Sequence, residues 1–168
     1  MNEYKVISSG KRTSSLLMNE NPVGAITNTN WSSTKAEISL PNGEVFQVAP
    51  KGFWERTTEV TQNDMVIVSF RFNWKNGIIM TTPGDSIPQT YRLKRKSLWK
   101  SEHQLLDESN EELLLITSVF KWKGFKTEFH FVPSLAFERT SRKELLMLVC
   151  IYALHQQQRR NAAVAASS

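Results

Sequence analysis

Residues 145–154 read LLMLVCIYAL, ten consecutive positions without a charge, and their surroundings decide the fold. The four residues before them, Ser141-Arg142-Lys143-Glu144, have the S-x-x-E spacing of a capping box. In that motif the serine oxygen takes the N3 amide and the glutamate reaches back to the cap. The spacing predicts a helix over 141–160. A surface helix is apolar along one stripe, whereas one that is apolar all round must be enclosed by protein or by lipid. Ten residues at 1.5 Å each span about 15 Å, half the ~30 Å hydrocarbon core of a bilayer. Lys143 before the run and the glutamines at 156–158 after it offer no extension. Protein is the expected enclosure. Burial of ten such side chains contributes on the order of 15–30 kcal/mol before entropy is subtracted.

The rest of the chain can supply that enclosure. Residues 3–132 are dominated by short runs of period two separated by turn chemistry, the pattern of strands. Asn42-Gly43 links runs at 37–40 and 45–48, and supplies the positive φ angles of a tight hairpin. Residues 65–74, MVIVSFRFNW, form the longest run, which Lys75-Asn76-Gly77 turns into 78–80. Phe70, Phe72 and Trp74 alternate with Ser69, Arg71 and Asn73, so one face is expected buried and the other wet. Further strands are expected at 4–8, 14–18, 23–27, 89–96, 103–106, 113–120 and 125–132. About a dozen short strands exceed one open sheet in a chain of this length, so the sheet must close or double.

An internal repeat points to closure. Phe46-Gln47-Val48 followed by Phe53-Trp54 matches Tyr91-Arg92-Leu93 followed by Leu98-Trp99 at the same internal spacing. Further on, Phe72-Asn73-Trp74-Lys75 matches Phe120-Lys121-Trp122-Lys123. The expected fold is mainly β: a closed antiparallel barrel of about 12 strands, made of two related halves and enclosing the C-terminal helix. It occupies 1–160 as one domain, and the Ala- and Ser-rich 161–168 is expected to fray.

This arrangement resembles the tubby C-terminal-like superfamily, which includes the LURP-one-related and phospholipid scramblase domains. The residues that carry the likeness are the Phe53-Trp54 and Leu98-Trp99 corners, the strands ending in Trp74 and Trp122, and the helix at 144–154. What the resemblance implies is the fold; function follows from it only by analogy. No stretch reads as a tubby signature, a Cys-rich palmitoylation segment or a scramblase-type calcium loop. No functional residue of the family is therefore carried onto this chain.

Bulk properties narrow the setting. The chain has 168 residues, a net charge of +5 and a single cysteine, Cys150, so no internal disulfide can form. The N-terminus shows no apolar run after its charges, and no segment is long enough to span a bilayer. A cytoplasmic protein, either free or peripheral to a membrane, is the expectation. The positive charge favours anionic partners.

Catalysis by acid and base needs titratable groups that converge. His103, His130 and His155 are far apart and share no ligand spacing, and Cys150 lies inside the apolar run as a small hydrophobe. Pro83-Gly84-Asp85-Ser86 has no P-loop lysine, and the acidic 107–112 lacks the EF-hand pattern and reads as a solvated hairpin loop. No catalytic residue, metal site or cofactor site is assigned, and an enzyme is not expected. One constellation has functional content. Arg92, Lys94 and Lys96 alternate on one face of a strand, with Lys100 just beyond Trp99 and Arg95 on the opposite face. Such a row can meet lipid phosphates, with Arg139, Arg142 and Lys143 as an extension if the barrel brings them near. Lysines on an exposed strand also serve simply to prevent edge pairing. Of the tryptophans at 31, 54, 74, 99 and 122, four recur at matched positions of the repeat, and they are expected in barrel corners and core. The leading expectation is a non-enzymatic module that binds an anionic membrane lipid, a phosphoinositide or a protein partner; nucleic acid is disfavoured. The alternatives are a small-molecule carrier with an empty lumen, or an enzyme with an unfamiliar site.

Overall fold

Twelve antiparallel strands close on themselves in simple chain order, and the computed structural model describes all residues except 31, 33, 53–55 and 85. The strands are β1 (Tyr4–Ser8), β2 (Thr13–Met18), β3 (Asn21–Asn28), β4 (Ala36–Ser39), β5 (Val45–Pro50) and β6 (Thr57–Gln62). They continue with β7 (Met65–Asn73), β8 (Gly77–Thr82), β9 (Gln89–Ser97), β10 (Glu102–Leu106), β11 (Glu112–Lys121) and β12 (Lys126–Pro133). β12 pairs back onto β1, with Tyr4 opposite Phe131 and Val6 opposite Phe129, so no strand edge is left open. A short helix α1 (Leu135–Glu138) then leads into α2 (Lys143–Ala166).

Turn chemistry sets the register. Asn19-Glu20 and Asn63-Asp64 have φ between 49° and 69°, the left-handed pairs that two-residue hairpins require. Gly43, at φ 87°, makes the expected turn between β4 and β5. Gly77 opens β8 at φ 78°, and a Cβ there would lie 2.5 Å from the Leu93 carbonyl oxygen. β6 was singled out by no alternating run, though the repeat requires a strand between its aromatic corner and its long strand. The matched segments fall on β5 to β7 and β9 to β11, so the repeat steps round the wall by four strands.

Inward residues such as Val6, Leu16, Ile38, Phe46, Val60, Phe70, Ile78, Leu93, Leu105 and Ile116 are buried, and the outward neighbours include Glu37, Gln47, Glu59, Arg71 and Lys94. A barrel that spans a bilayer has the inverse arrangement, with its apolar band outside. Separately, no helix is long and apolar enough to cross a membrane among the described residues.

The enclosure expected for the apolar run is present. All ten residues from Leu145 to Leu154 are buried, none more than 3% exposed. They occupy the lumen and form one core with the inward side chains of the strands. The capping box is corrected. The N-cap is Arg142, in a left-handed conformation at φ 59°, and no side chain caps the helix. The helix begins one residue later than the motif requires, because Lys143 is drawn to Glu138, its Nζ 2.7 Å from Glu138 Oε2. The true side-chain cap belongs to α1, where Ser134 Oγ accepts from the Phe137 amide at 3.1 Å. The far boundary at 160 is also corrected: α2 runs to Ala166, and the alanines that suggested a frayed tail are the best helix formers.

Because each strand is antiparallel to both neighbours, the connections alternate between two ends. β1–β2, β3–β4, β5–β6, β7–β8, β9–β10 and β11–β12 turn at one end, and all other connections lie at the opposite end. Helix α2 enters at the latter, where the Arg142 guanidinium stands 5.9 Å over the Phe46 ring at the start of β5. It leaves at the former, where Tyr152 Oη donates to the Thr34 carbonyl between β3 and β4 at 2.5 Å. These are called the entry end and the exit end.

Candidate functional site

The basic row lies where period two puts it, on the outer face of β9. Arg92 is half-buried, while Lys94, Lys96 and Lys100 are exposed. Charge does not accumulate along it, because Lys96 Nζ is ion-paired to Glu112 Oε2 at 2.7 Å. Arg95 folds over the end of its own strand and donates to the carbonyls of Ser97 and Leu98, both at 3.1 Å. Arg139, Arg142 and Lys143 do not extend the row. Arg139 and Arg142 precede α2 and Lys143 opens it, all at the entry end, whereas Lys100 lies in the β9–β10 turn at the exit end.

The tryptophans overturn their core assignment. Trp74 is 90% exposed, Trp99 95% and Trp122 79%. Each stands just past the end of a strand, in the β7–β8, β9–β10 and β11–β12 turns, where alternation no longer aims a side chain inward. Trp31, and the Phe53-Trp54 corner, lie outside the described residues. A step of four strands preserves strand direction, so Trp74 and Trp122 share the exit end, and Trp99 joins them from the turn between.

Each of these three turns also pairs its tryptophan with a lysine: Trp74-Lys75, Trp99-Lys100 and Trp122-Lys123. Apolar surface surrounds them, with Leu98 and Phe125 exposed beside Trp99 and Trp122. Phe120 bridges the last pair, its ring 5.2 Å from Trp122 and 6.4 Å from Phe125. Lys75 Nζ rests 5.1 Å above the Trp74 ring. Among the described residues none of Lys75, Lys100 and Lys123 is paired to a carboxylate.

Charge separates along the barrel axis. The exit-end connections carry Lys11 and Arg12, Lys35, Lys51 and Arg56, Lys75, Lys100 and Lys123. Glu55, outside the described residues, is the one carboxylate in those segments. The five strand-to-strand connections at the entry end carry Glu20, Glu44, Asp64, Asp85, Asp107, Glu108 and Glu111, and no lysine or arginine. Only the segment between β12 and α2, with Arg139 and Arg142, departs from this rule. The exit end is therefore a positive, aromatic surface at one pole of the molecule. Arg159 and Arg160, where α2 emerges, add to it. Arg160 lies 4.4 Å over the Phe72 ring.

The three histidines do not come together. His103 is on β10, His130 on β12 beside Glu128 at 3.3 Å, and His155 on α2 with its ring 5.3 Å from Phe129. The Cys150 thiol is fully buried, which pushes its pKa up to about 12. The acidic loop is held by its own backbone: Asp107 Oδ1 accepts from the amides of Ser109 at 2.8 Å and Glu111 at 2.9 Å. Among the described residues no group of three or more His, Cys, Asp or Glu side chains could hold a metal ion.

The row on β9 was found by periodicity, which reads faces and not ends. The exit-end surface has a signal of another kind in the sequence: three Trp-Lys dipeptides, each closing a strand run. Comparison with protein-family models, with curated proteins and with solved structures finds no match to this chain.

Proposed function

We propose that this barrel is a non-enzymatic module that docks its exit end on an anionic membrane surface. The observation that carries the reading is the triple Trp-Lys arrangement, three exposed tryptophans and three unpaired lysines on neighbouring turns of one pole. Tryptophan suits the boundary between headgroups and hydrocarbon, where its ring is apolar and its N–H still finds a partner. A lysine near an anionic leaflet contributes about 1 kcal/mol, and several add to a reversible attachment. Leu98 favours lipid over single-stranded nucleic acid, since an aliphatic side chain offers no stacking face. We further propose that the barrel belongs to the tubby C-terminal-like superfamily. Its closure on a C-terminal helix supports that assignment, and the docking reading does not depend on it.

Co-sedimentation with phosphatidylcholine vesicles, with and without phosphatidylserine, tests the proposal at low and high salt. Binding is expected only to the anionic vesicles, weakening with salt. It should be lost in Lys75→Ala/Lys100→Ala/Lys123→Ala and in Trp74→Ala/Trp99→Ala/Trp122→Ala. The wall variant Arg92→Ala/Lys94→Ala/Lys96→Ala should bind nearly as the parent does. No binding at low salt, unchanged binding in both turn variants, or tighter binding to a single-stranded oligonucleotide would overturn the reading.

A further inference from the structure

At the exit end, β2, β3 and α2 enclose a cavity of about 420 Å3 that holds several cationic and neutral polar side chains and no carboxylate. Its position breaks the inward pattern of the wall. Ser14 pairs with Ile26 across β2 and β3, and Leu16 and Ile26 are both buried inward. Ser14 and Asn28, two residues along from them, therefore face the lumen with polar groups where apolar ones are the rule. Arg12 comes from the β1–β2 turn, and His155 and Arg159 from successive turns of α2. Tyr152 floors the site, its hydroxyl already committed to Thr34.

Among the described residues, the side chains of Arg12, Ser14, Asn28, His155 and Arg159 have no hydrogen-bond or ion-pair partner in the protein. Two guanidiniums without a counterion, converging with a hydroxyl, an amide and an imidazole, form a donor-rich pocket that lacks an anionic group. Guanidinium matches the paired oxygens of a phosphate, and two of them match a dianion. The volume lies within the range of small-ligand sites and exceeds what a bare ion needs.

We infer that this lumen mouth is a binding pocket for a phosphate monoester, gripped by Arg12 and Arg159 and oriented by Ser14, Asn28 and His155. The monoester can belong to a lipid headgroup at the docked surface or to a free metabolite. The inference stands whether or not the exit end meets a membrane.

The test is an NMR titration of the full chain with glycerol 3-phosphate, using glycerol as the neutral control. Saturable shifts at the amides of Ser14, Asn28 and His155 are expected with the former only. Arg12→Gln and Arg159→Gln should each weaken binding about tenfold, the loss of one charge-assisted contact. Both arginines are exposed, so the variants keep the fold, which unchanged melting will verify. A parallel comparison of vesicles containing phosphatidic acid or phosphatidylserine distinguishes the sources. A preference for phosphatidic acid that the double variant abolishes identifies a lipid monoester, and equal binding to both vesicles with glycerol 3-phosphate bound identifies a free one. Shifts that do not saturate, or an affinity unchanged in the double variant, overturn the inference. Loss of vesicle binding alone counts against the docking reading and leaves the pocket standing.

Discussion

Gly24 of β3 lies directly against Leu148 of α2: a Cβ built on Gly24 would stand 3.0 Å from Leu148 Cδ1 and 3.2 Å from Leu40 Cδ2. Leu148 is fully buried and has no room to retreat. A glycine in the wall thus lets the helix and β3 approach closely. Gly24→Ala should destabilise the barrel by about 1–3 kcal/mol through overpacking. Leu148→Ala should cost about 2–5 kcal/mol through the cavity it leaves. In the double variant the new methyl enters that cavity, so the combined cost should fall below the sum, as chemical denaturation will measure. Strict additivity would mean the two residues do not touch.

Cys150 reports on the same plug. Its thiol is fully buried within the lumen, and burial alone raises its pKa to about 12. Neither access nor thiolate is available in the folded state, so a thiol reagent at mildly alkaline pH should label the native protein only through opening of the barrel. Labelling rates across a denaturant series should parallel the global unfolding equilibrium. Fast labelling in the absence of denaturant would show that α2 leaves the lumen independently.

Legibility followed the physics of each signal. The run from Leu145 to Leu154 was readable because ten uncharged residues admit few environments, and enclosure by strands followed from its length. Closure was readable from strand number and repeat. The helix start was not, because the Lys143–Glu138 contact competes with a local cap and only the folded chain brings those residues together. Neither was the position of the tryptophans. Alternation assigns Trp74 to the face of Phe70, yet the strand ends at Asn73 and the turn carries the indole outward. The lumen-mouth pocket was illegible for a similar reason, since Arg12, Asn28 and Arg159 are distant in sequence and meet only once the barrel closes.

Glu138 ties three parts of the chain together at the entry end. Its Oε2 accepts from Lys143 Nζ at 2.7 Å and from Tyr4 Oη at 3.2 Å, and Lys143 also stands 5.8 Å from the Tyr4 ring. The hydrogen bond to Glu138 raises the Lys143 pKa against the opposing effect of burial. These contacts hold β1, α1 and the start of α2 in place of a helix cap. Glu138→Ala should lower stability by about 1–3 kcal/mol, leaving the Tyr4 hydroxyl without its acceptor and the Lys143 ammonium with only the residue 138 carbonyl, at 3.4 Å. Ser141→Ala should change it by under about 0.5 kcal/mol, although the sequence motif assigns the cap to Ser141. Equal losses from the two variants would restore the capping box.

Acid should weaken the fold in a window set by two histidines. Burial lowers the pKa of His103, with Arg95 nearby adding to the effect, and burial lowers that of His155. Both are therefore neutral in the fold at pH values where an unfolded imidazole, titrating at 6.5, already takes up a proton. As pH falls below that value the unfolded chain binds more protons than the folded one, and stability declines until the folded-state pKa values are reached. Above it, neither state is protonated and the histidines contribute no pH dependence. Glu44, held below its ordinary value by hydrogen bonds from Asn42 and Gln62, acts only in a more acidic range, where protonation removes those bonds. Denaturation midpoints measured from neutral pH downward should show the first decline, and His103→Gln/His155→Gln should flatten it while sparing the more acidic one. A slope unchanged in that double variant would place the acid sensitivity elsewhere, since glutamine keeps a polar side chain at both positions and removes only the proton uptake.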